Sequence, residues 1–299
     1  MIDGYEVPDP NGTRESREQG WRIGFGLQFA DGLTPSEYAY EVADRQINGR
    51  ITYDQAAREL NDYHAEHPDQ HDHREADIVA QRISEILQNP GFAFAPDVLK
   101  SIHSRLFTDV LQDETGAIRN DWVGDWRVEN LTKKEPVLNG DTVQYSNFLW
   151  IDETIDYDFR SEQARIGSYR RADRHKVADS VFRFLSGIWQ IHPFREGNTR
   201  TTAVFGIIYL NFLGFKIDNK PFAENSQYFR DALVLANTSD PELQTDEPLQ
   251  RFVQAALFDP TVQLRSLRER HGSPYETTDP ADPANIAMES SGQGQAYTR

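Results

Sequence analysis

From Arg174 to Ile191 the apolar residues Val177, Val181, Phe184, Leu185 and Ile188 recur at intervals of three and four, the stripe of a helix lying in a core. The stripe runs into His192-Pro193, where the missing N–H and fixed φ of proline force the chain out of helix. After a short polar loop an apolar helix restarts as TRTTAVFGIIYLNFLGF. Two core helices joined by so short a loop commit the chain to a helical architecture.

The other periodic segments agree. A helix is predicted from Thr13 to Ala30, with Trp21, Phe25 and Phe29 four apart, stopped by Asp31-Gly32. Thr34–Gln46 and Thr52–Tyr63 read as shorter helices, each opened by a threonine that can cap. Helical patterns continue in ADIVAQRISEILQ from Ala76, in APDVLKSIHSRLF opened by Pro96, and in SNFLWIDETIDYDF. The expected class is all-α. One exception is Glu135-Pro-Val-Leu, Asn139-Gly140, then Asp-Thr-Val-Gln-Tyr, an Asn-Gly turn between short β-type runs that predicts an isolated β-hairpin, lying on helices or serving as a flap.

The polar stretch HAEHPDQHDHRE, residues 64–75, holds four histidines. It can be read as a metal site, but Pro68 and the lack of an i, i+4 histidine pair on an apolar face favour a solvated linker. The predicted organisation is a helical appendage over 1–65 with a loose start through Gly12, a linker over 66–75, a main domain over 76–258, and over 259–299 a helix end and a poorly packed tail rich in Pro, Ser, Gly and Asp.

Composition narrows the function. With 48 acidic and 31 basic residues the formal charge is −17, which disfavours general nucleic-acid binding and anionic membrane surfaces. Without cysteine there is no disulfide framework, thiol nucleophile or cysteine-ligated zinc. The start MIDGYEVPDPNG lacks a basic, apolar signal pattern, and the apolar run Ala203 to Leu210 is too short to span a bilayer, so a cytoplasmic protein is expected.

Chemistry concentrates between His192 and Arg200. The loop ends at a helix N-terminus, where free backbone N–H groups and the macrodipole favour an anion, Gly197 permits close backbone approach, and Arg200 adds a permanent charge. His192 can accept a proton from a hydroxyl, and Glu196 is a hard oxygen ligand suited to Mg²⁺ beside a polyphosphate. Such a loop suits phosphoryl or nucleotidyl transfer. Residue by residue, a plainer reading stands beside it: His192 as a packing residue, Glu196 as an exposed loop acid, Arg200 as a surface charge.

The order HPFREGNTR closely resembles the Fic-family signature His-x-Phe-x-(Asp/Glu)-Gly-Asn-(Gly/Lys)-Arg-x-x-Arg through His192, Phe194, Glu196, Gly197, Asn198 and Arg200. The resemblance extends over about residues 76–258, through EADIVAQRISEIL, IHSRLF, DWRVENLTKKEPVLNG and YFRDALVLAN. It implies a Fic-type helical bundle with a hairpin flap, and a protein adenylyltransferase that moves AMP from ATP to a Tyr, Thr or Ser hydroxyl of a target protein, with self-modification possible. It further implies His192 as general base, Glu196 as Mg²⁺ ligand, and nucleotide contacts from Phe194, Arg195, Gly197, Asn198, Thr199 and Arg200. Leu138, Phe229 and Asn237 would sit by the nucleotide, and the flap residues Val137, Leu138, Asn139 and Gly140 would dock the target by strand pairing.

Two positions depart from the family. Thr199 stands where Gly or Lys is usual, and Ala203 replaces the second arginine, which in the family meets the γ-phosphate and pairs with an inhibitory glutamate. The N-terminal segment GLTPSEYAYEVADRQINGRITYDQAARELNDYH resembles small Fic antitoxins, whose Ser-x-x-x-Glu-Gly aligns here with Leu27-Gln-Phe-Ala-Asp31-Gly32. Asp31 is the inhibitory candidate. With Ala203 opposite it, the expectation is a lid whose inhibitory ion pair is absent, or a helix that simply covers an apolar surface. The alternatives to adenylyl transfer are a Fic variant with another nucleotide or phosphate donor, and a nucleotide-binding regulatory module without turnover.

Overall fold

The computed structural model describes residues 12–88 and 91–268. The described residues form helices α1 (Arg14–Phe29), α2 (Glu37–Ile47), α3 (Tyr53–Glu66), α4 (His71–Gln88), α5 (Asp97–Phe107), α6 (Ile151–Tyr169), α7 (Arg174–Ile191), α8 (Asn198–Phe212), α9 (Lys220–Glu224), α10 (Ser226–Asn237) and α11 (Glu247–Leu257). The class is all-α, as the periodicity predicts. Among the described residues no helix is long and apolar enough to cross a membrane.

Local chemistry sets the helix starts. The Thr13 hydroxyl accepts from Ser16 N–H at α1, and Thr52 with Gln55 forms a reciprocal capping box at α3. The start predicted at Thr34 falls instead at Ser36, the N-cap of α2. Ser36 is fixed from outside the helix: Asp77 of α4 accepts its N–H at 2.8 Å and its hydroxyl at 2.5 Å.

The same carboxylate corrects the predicted linker. His64 lies buried inside α3 with Nε2 2.9 Å from Asp77 Oδ2, Pro68–Gln70 make one 3-10 turn, and α4 begins at His71. The stretch is therefore two helices closed on a shared acid. Its polarity misled because the partner of His64 comes from a different helix.

α1 is buried on two sides rather than along one stripe. Trp21 and Phe25 pack with Ala39, Val42, Ala56 and Leu60 of α2 and α3, while Ile23 and Leu27 join the main core. Close approach depends on glycine: a Cβ on Gly24 would lie 2.3 Å from Ala80 O of α4, and one on Gly26 1.8 Å from Ala223 O of α9. Phe29, predicted on the packed face, is only half-buried.

In the main core α8 packs against α7, α5 and α1 and is buried along almost its whole length. Phe94, Phe159, Phe184, Phe205 and Tyr209 form an aromatic cluster around it.

The predicted hairpin is not one. Lys134 and Thr142 make a single antiparallel bridge, and between them Pro136–Leu138 form a 3-10 turn, with Asn139 at φ 56° and Gly140 at φ 89°. Pro136 lacks the N–H a ladder needs, and consecutive burial of Val137 and Leu138 breaks the period of two. After α11 the chain has no regular helix through 268, with Leu267 buried and Arg268 Nε 2.8 Å from Asp231 Oδ2. The predicted loose start through residue 11 and the tail from 269 lie outside the described residues.

Candidate active site

The site is the turn from α7 into α8. His192 ends α7 in the left-handed region (φ 54°, ψ 58°), which swings the chain round before Pro193. Its Nδ1 lies 3.3 Å from Trp189 O, so Nδ1–H is the donor and Nε2 is left as the acceptor. Tyr145 stacks on the ring at 3.9 Å. The residue as a whole is half-buried, but its ring lies under Tyr145 among positive groups. Burial first, then the charges of Lys133, Arg127 and Arg230, lower its pKa to about 3. The imidazole is neutral and can accept a proton at neutral pH.

Two side chains outside the motif brace the loop. Arg127 is buried and donates from its backbone N–H to Pro193 O at 2.8 Å and from Nε to His192 O at 2.7 Å. Its other nitrogens reach the carbonyls of Glu129, Ser146 and Ile191. From α5, His103 donates from Nε2 to Glu196 O at 3.0 Å and accepts Gly124 N–H on Nδ1 at 3.1 Å. It stacks on Phe194 at 3.9 Å, and burial lowers its pKa to about 4. Neither residue is marked by spacing in the sequence.

Within the motif, Phe194 is buried as a core anchor. The Asn198 side chain grips the Phe194 peptide, accepting its N–H at 2.9 Å and donating to its carbonyl at 2.8 Å. The Thr199 hydroxyl accepts from Trp189 Nε1 at 3.0 Å. Asn198 and Thr199 thus brace the loop with their side chains and offer a ligand the backbone N–H groups of the first turn of α8, which have no carbonyl to bond within the helix. Gly197 sits at φ 71°, and a Cβ there would be 2.4 Å from the Phe107 ring. Only glycine fits.

Arg200 does not lie open to a ligand. Its side chain is 2% exposed, with Nε 2.8 Å from Asp31 Oδ2, Nη2 2.6 Å from Glu75 Oε1 and Nη1 3.0 Å from Gln28 Oε1. The inhibitory candidate therefore meets a motif arginine, Arg200, in an ion pair that the sequence alone does not predict. The pair involves Arg200 in the first turn of α8, while Ala203 is buried. Burial raises the Asp31 pKa, but Arg200, with Lys133, Arg230 and His192, outweighs it and holds the carboxyl below its ordinary value. Glu75 was not foreseen, because it meets Arg200 only through helix packing.

Glu196 has its side chain at the surface and no ion-pair partner among the described residues. Burial raises the pKa of its carboxyl, with Lys133 opposing the shift and the Asp31 charge adding to it. Arg195 turns aside to Glu129, 2.8 Å away. No group of three or more His, Cys, Asp or Glu suited to a metal occurs among the described residues. A lone surface carboxylate beside a helix N-terminus does fit Mg²⁺, which commonly takes one or two protein carboxylates and shares the rest of its shell with phosphates and water.

Around the turn 134–142, Val137 and Leu138 are buried and Asn139 and Gly140 exposed. Beneath it, buried Glu135 accepts from Arg230 Nη2 of α10 at 2.7 Å and from Tyr145 hydroxyl at 3.3 Å, tying the turn to the residue that covers His192. Phe229 is a core residue packed on Phe222 and Phe252, and Asn237 bonds Ser186 and the carbonyl of Leu233. Among the described residues no hydrogen bond or ring contact joins either of them to the motif loop. A surface cavity of about 480 Å³ lies elsewhere, lined by Tyr228, Glu247, Arg251 and Gln263 among others.

Fold and loop together define an all-α domain built round a helix–proline–loop–helix turn, with a neutral histidine at the end of α7 and the free first-turn N–H groups of α8 beyond it. Residues 93–210 match the profile of the Fic/DOC family. A probable protein adenylyltransferase of Sinorhizobium fredii is 27% identical over 179 residues, spanning 58% of this chain and 81% of that protein.

Proposed function

We propose that the chain is a protein adenylyltransferase, transferring AMP from ATP to the hydroxyl of a Tyr, Thr or Ser side chain of a protein target in the cytoplasm. The observation that carries the reading is His192: neutral, fixed in one tautomer with Nε2 unbonded, and set at the end of α7 in the turn that leads into α8. The target hydroxyl oxygen attacks the α-phosphorus while Nε2 takes its proton, and the bond from that phosphorus to the bridging oxygen breaks as pyrophosphate leaves. The first-turn N–H groups of α8 receive phosphate oxygens. Glu196 is the residue that would hold Mg²⁺, which neutralises phosphate charge when bound.

The family match and the relative's name support this reading, as does the brace of Arg127 and His103 on three carbonyls of the loop. In this reading residues 76–258 are the transferase unit and residues 1–65 an antitoxin-like lid that ties up Arg200 through Asp31. The turn 137–140 docks the target through its exposed Asn139-Gly140 edge. A regulatory module that holds a nucleotide without turnover is the second reading, favoured by the engagement of Arg200 with Asp31, Glu75 and Gln28.

Incubation of the chain with Mg²⁺ and α-³²P-labelled ATP, alone and with candidate target proteins, tests it. Label with the mass of AMP, lost in His192→Ala and increased in Asp31→Ala, is the expected result. ATP binding without His192-dependent label in either background would favour the regulatory module.

A further inference from the structure

Five cationic side chains border the loop, and four are committed to other partners. Arg200 is ion-paired with Asp31 and Glu75 and hydrogen-bonded to Gln28, and Arg230 is ion-paired with Glu135. Arg127 is hydrogen-bonded to main-chain carbonyls and Arg195 is ion-paired with Glu129. Past Arg200, α8 carries no further Lys or Arg. The fifth, Lys133, is exposed and has no carboxylate within ion-pair distance among the described residues.

The backbone sets the direction of Lys133. Lys134 makes the bridge to Thr142 and Glu135 is extended at φ −109° and ψ 119°, so residues 133 and 135 share one face and Lys134 takes the other. Glu135 points inward to Arg230 and to the hydroxyl of Tyr145, the ring stacked on His192. Lys133 therefore stands on the face that looks toward the histidine. Its charge also lowers the proton affinity of His192, Asp31, Glu196 and Glu135, which places the ammonium in the field of both motif side chains and of the α1 acid.

A nucleoside triphosphate brings several negative charges to a chain of formal charge −17, and the N–H groups of one helix end with a single divalent ion do not neutralise them all. We propose that Lys133 is the side chain that binds the terminal phosphates of the nucleoside triphosphate donor. This rests on the nucleotidyl-transfer reading of the same loop. Lysine suits the role as a mobile point charge that can follow a leaving pyrophosphate.

Titration calorimetry of the intact chain with Mg²⁺-ATP and, separately, with AMP tests the assignment, in wild type and in an Asp31→Ala background. Lys133→Ala should weaken ATP binding about tenfold while changing AMP binding by less than about twofold. Lys133→Arg should restore most of the loss, and Lys134→Ala, on the opposite face, should match wild type. The proposal is overturned if Lys133→Ala binds ATP as wild type does, or loses ATP and AMP equally. It is also overturned if neither background binds ATP. The labelling assay separates this from the parent reading: Lys133-dependent ATP affinity without label on any protein would sink adenylyl transfer and leave Lys133 standing. Label transfer with unchanged ATP affinity in Lys133→Ala would do the reverse.

Discussion

Asp31 Oδ2 at the end of α1 lies 2.8 Å from Arg200 Nε in the first turn of α8, so the N-terminal helices are joined by charge to the loop that carries His192. Asp31→Asn should release that corner of the site and raise ATP-dependent labelling. Glu75 and Gln28 still hold Arg200, so the stability cost should be about 2 kcal/mol, below that of stripping a buried charge of every partner. Unchanged labelling together with unchanged urea unfolding would show that the contact matters to neither.

The same pair has a pH signature. The Asp31 carboxyl is held below its ordinary value, so its contribution is present above the unfolded-state pKa and is lost as pH falls through the folded one. The stability difference between wild type and Asp31→Asn should stay constant at neutral pH and shrink only below about pH 4. Chemical unfolding of both proteins over that range measures it; a difference that grows with acid would reverse the sign.

The loop brace predicts a kinetic split. Arg127 fixes the carbonyls on either side of the His192-Pro193 peptide, and a small displacement of a general base costs turnover more than binding. Arg127→Lys should lower kcat by about tenfold or more with ATP KM within about twofold. His103→Asn, which keeps a donor but loses the stack on Phe194, should act in the same direction. A fall in thermal stability with kcat preserved would make both residues merely structural.

Much of this was legible in the chain, and the failures share one cause. The bounds of α7, Arg174–Ile191, follow from its stripe and from Pro193, because periodicity and proline act locally. The motif loop was legible for the same reason. Burial of His64 against Asp77, engagement of Arg200 by Glu75, and the inward turn of Glu135 to Arg230 each join side chains far apart in sequence. No local pattern marks such pairs. Asp31 was singled out, yet its partner was missed, because the meeting depends on glycines that bring α1 against α4 and α9. The turn 134–142 shows the opposite error, a strong Asn-Gly signal overridden by Pro136 and by two consecutive core residues.

Gly197→Ala should disable the site through sterics rather than chemistry. The new methyl would meet the Phe107 ring at 2.4 Å, and a φ of 71° is strained for any residue with a Cβ. Activity should be lost with a stability decrease of about 2 kcal/mol. The double variant Gly197→Ala, Phe107→Leu removes the clash and leaves the backbone strain, so it should recover part of the stability. No recovery in the double variant would mean that the ring is not what excludes a side chain there.

The acid limb of the activity profile should belong to Glu196 and not to His192. Burial under Tyr145 and three neighbouring cations leaves the imidazole unprotonated far below neutrality, so a base of this kind imposes no loss near pH 6.5. Glu196 is shifted the other way by burial and by Asp31, so protonation of this carboxyl, and with it weakened Mg²⁺ binding, comes first as pH falls. Asp31→Asn removes the neighbouring negative charge and should move the limb to lower pH. Tyr145→Ala uncovers His192, lets its pKa rise toward the ordinary value, and should move the limb toward neutrality. Rates at saturating ATP across about pH 4.5 to 8, at two Mg²⁺ concentrations, separate the two groups. A limb near pH 6.5 in wild type that ignores Mg²⁺ would assign it to His192 and overturn the order argued here.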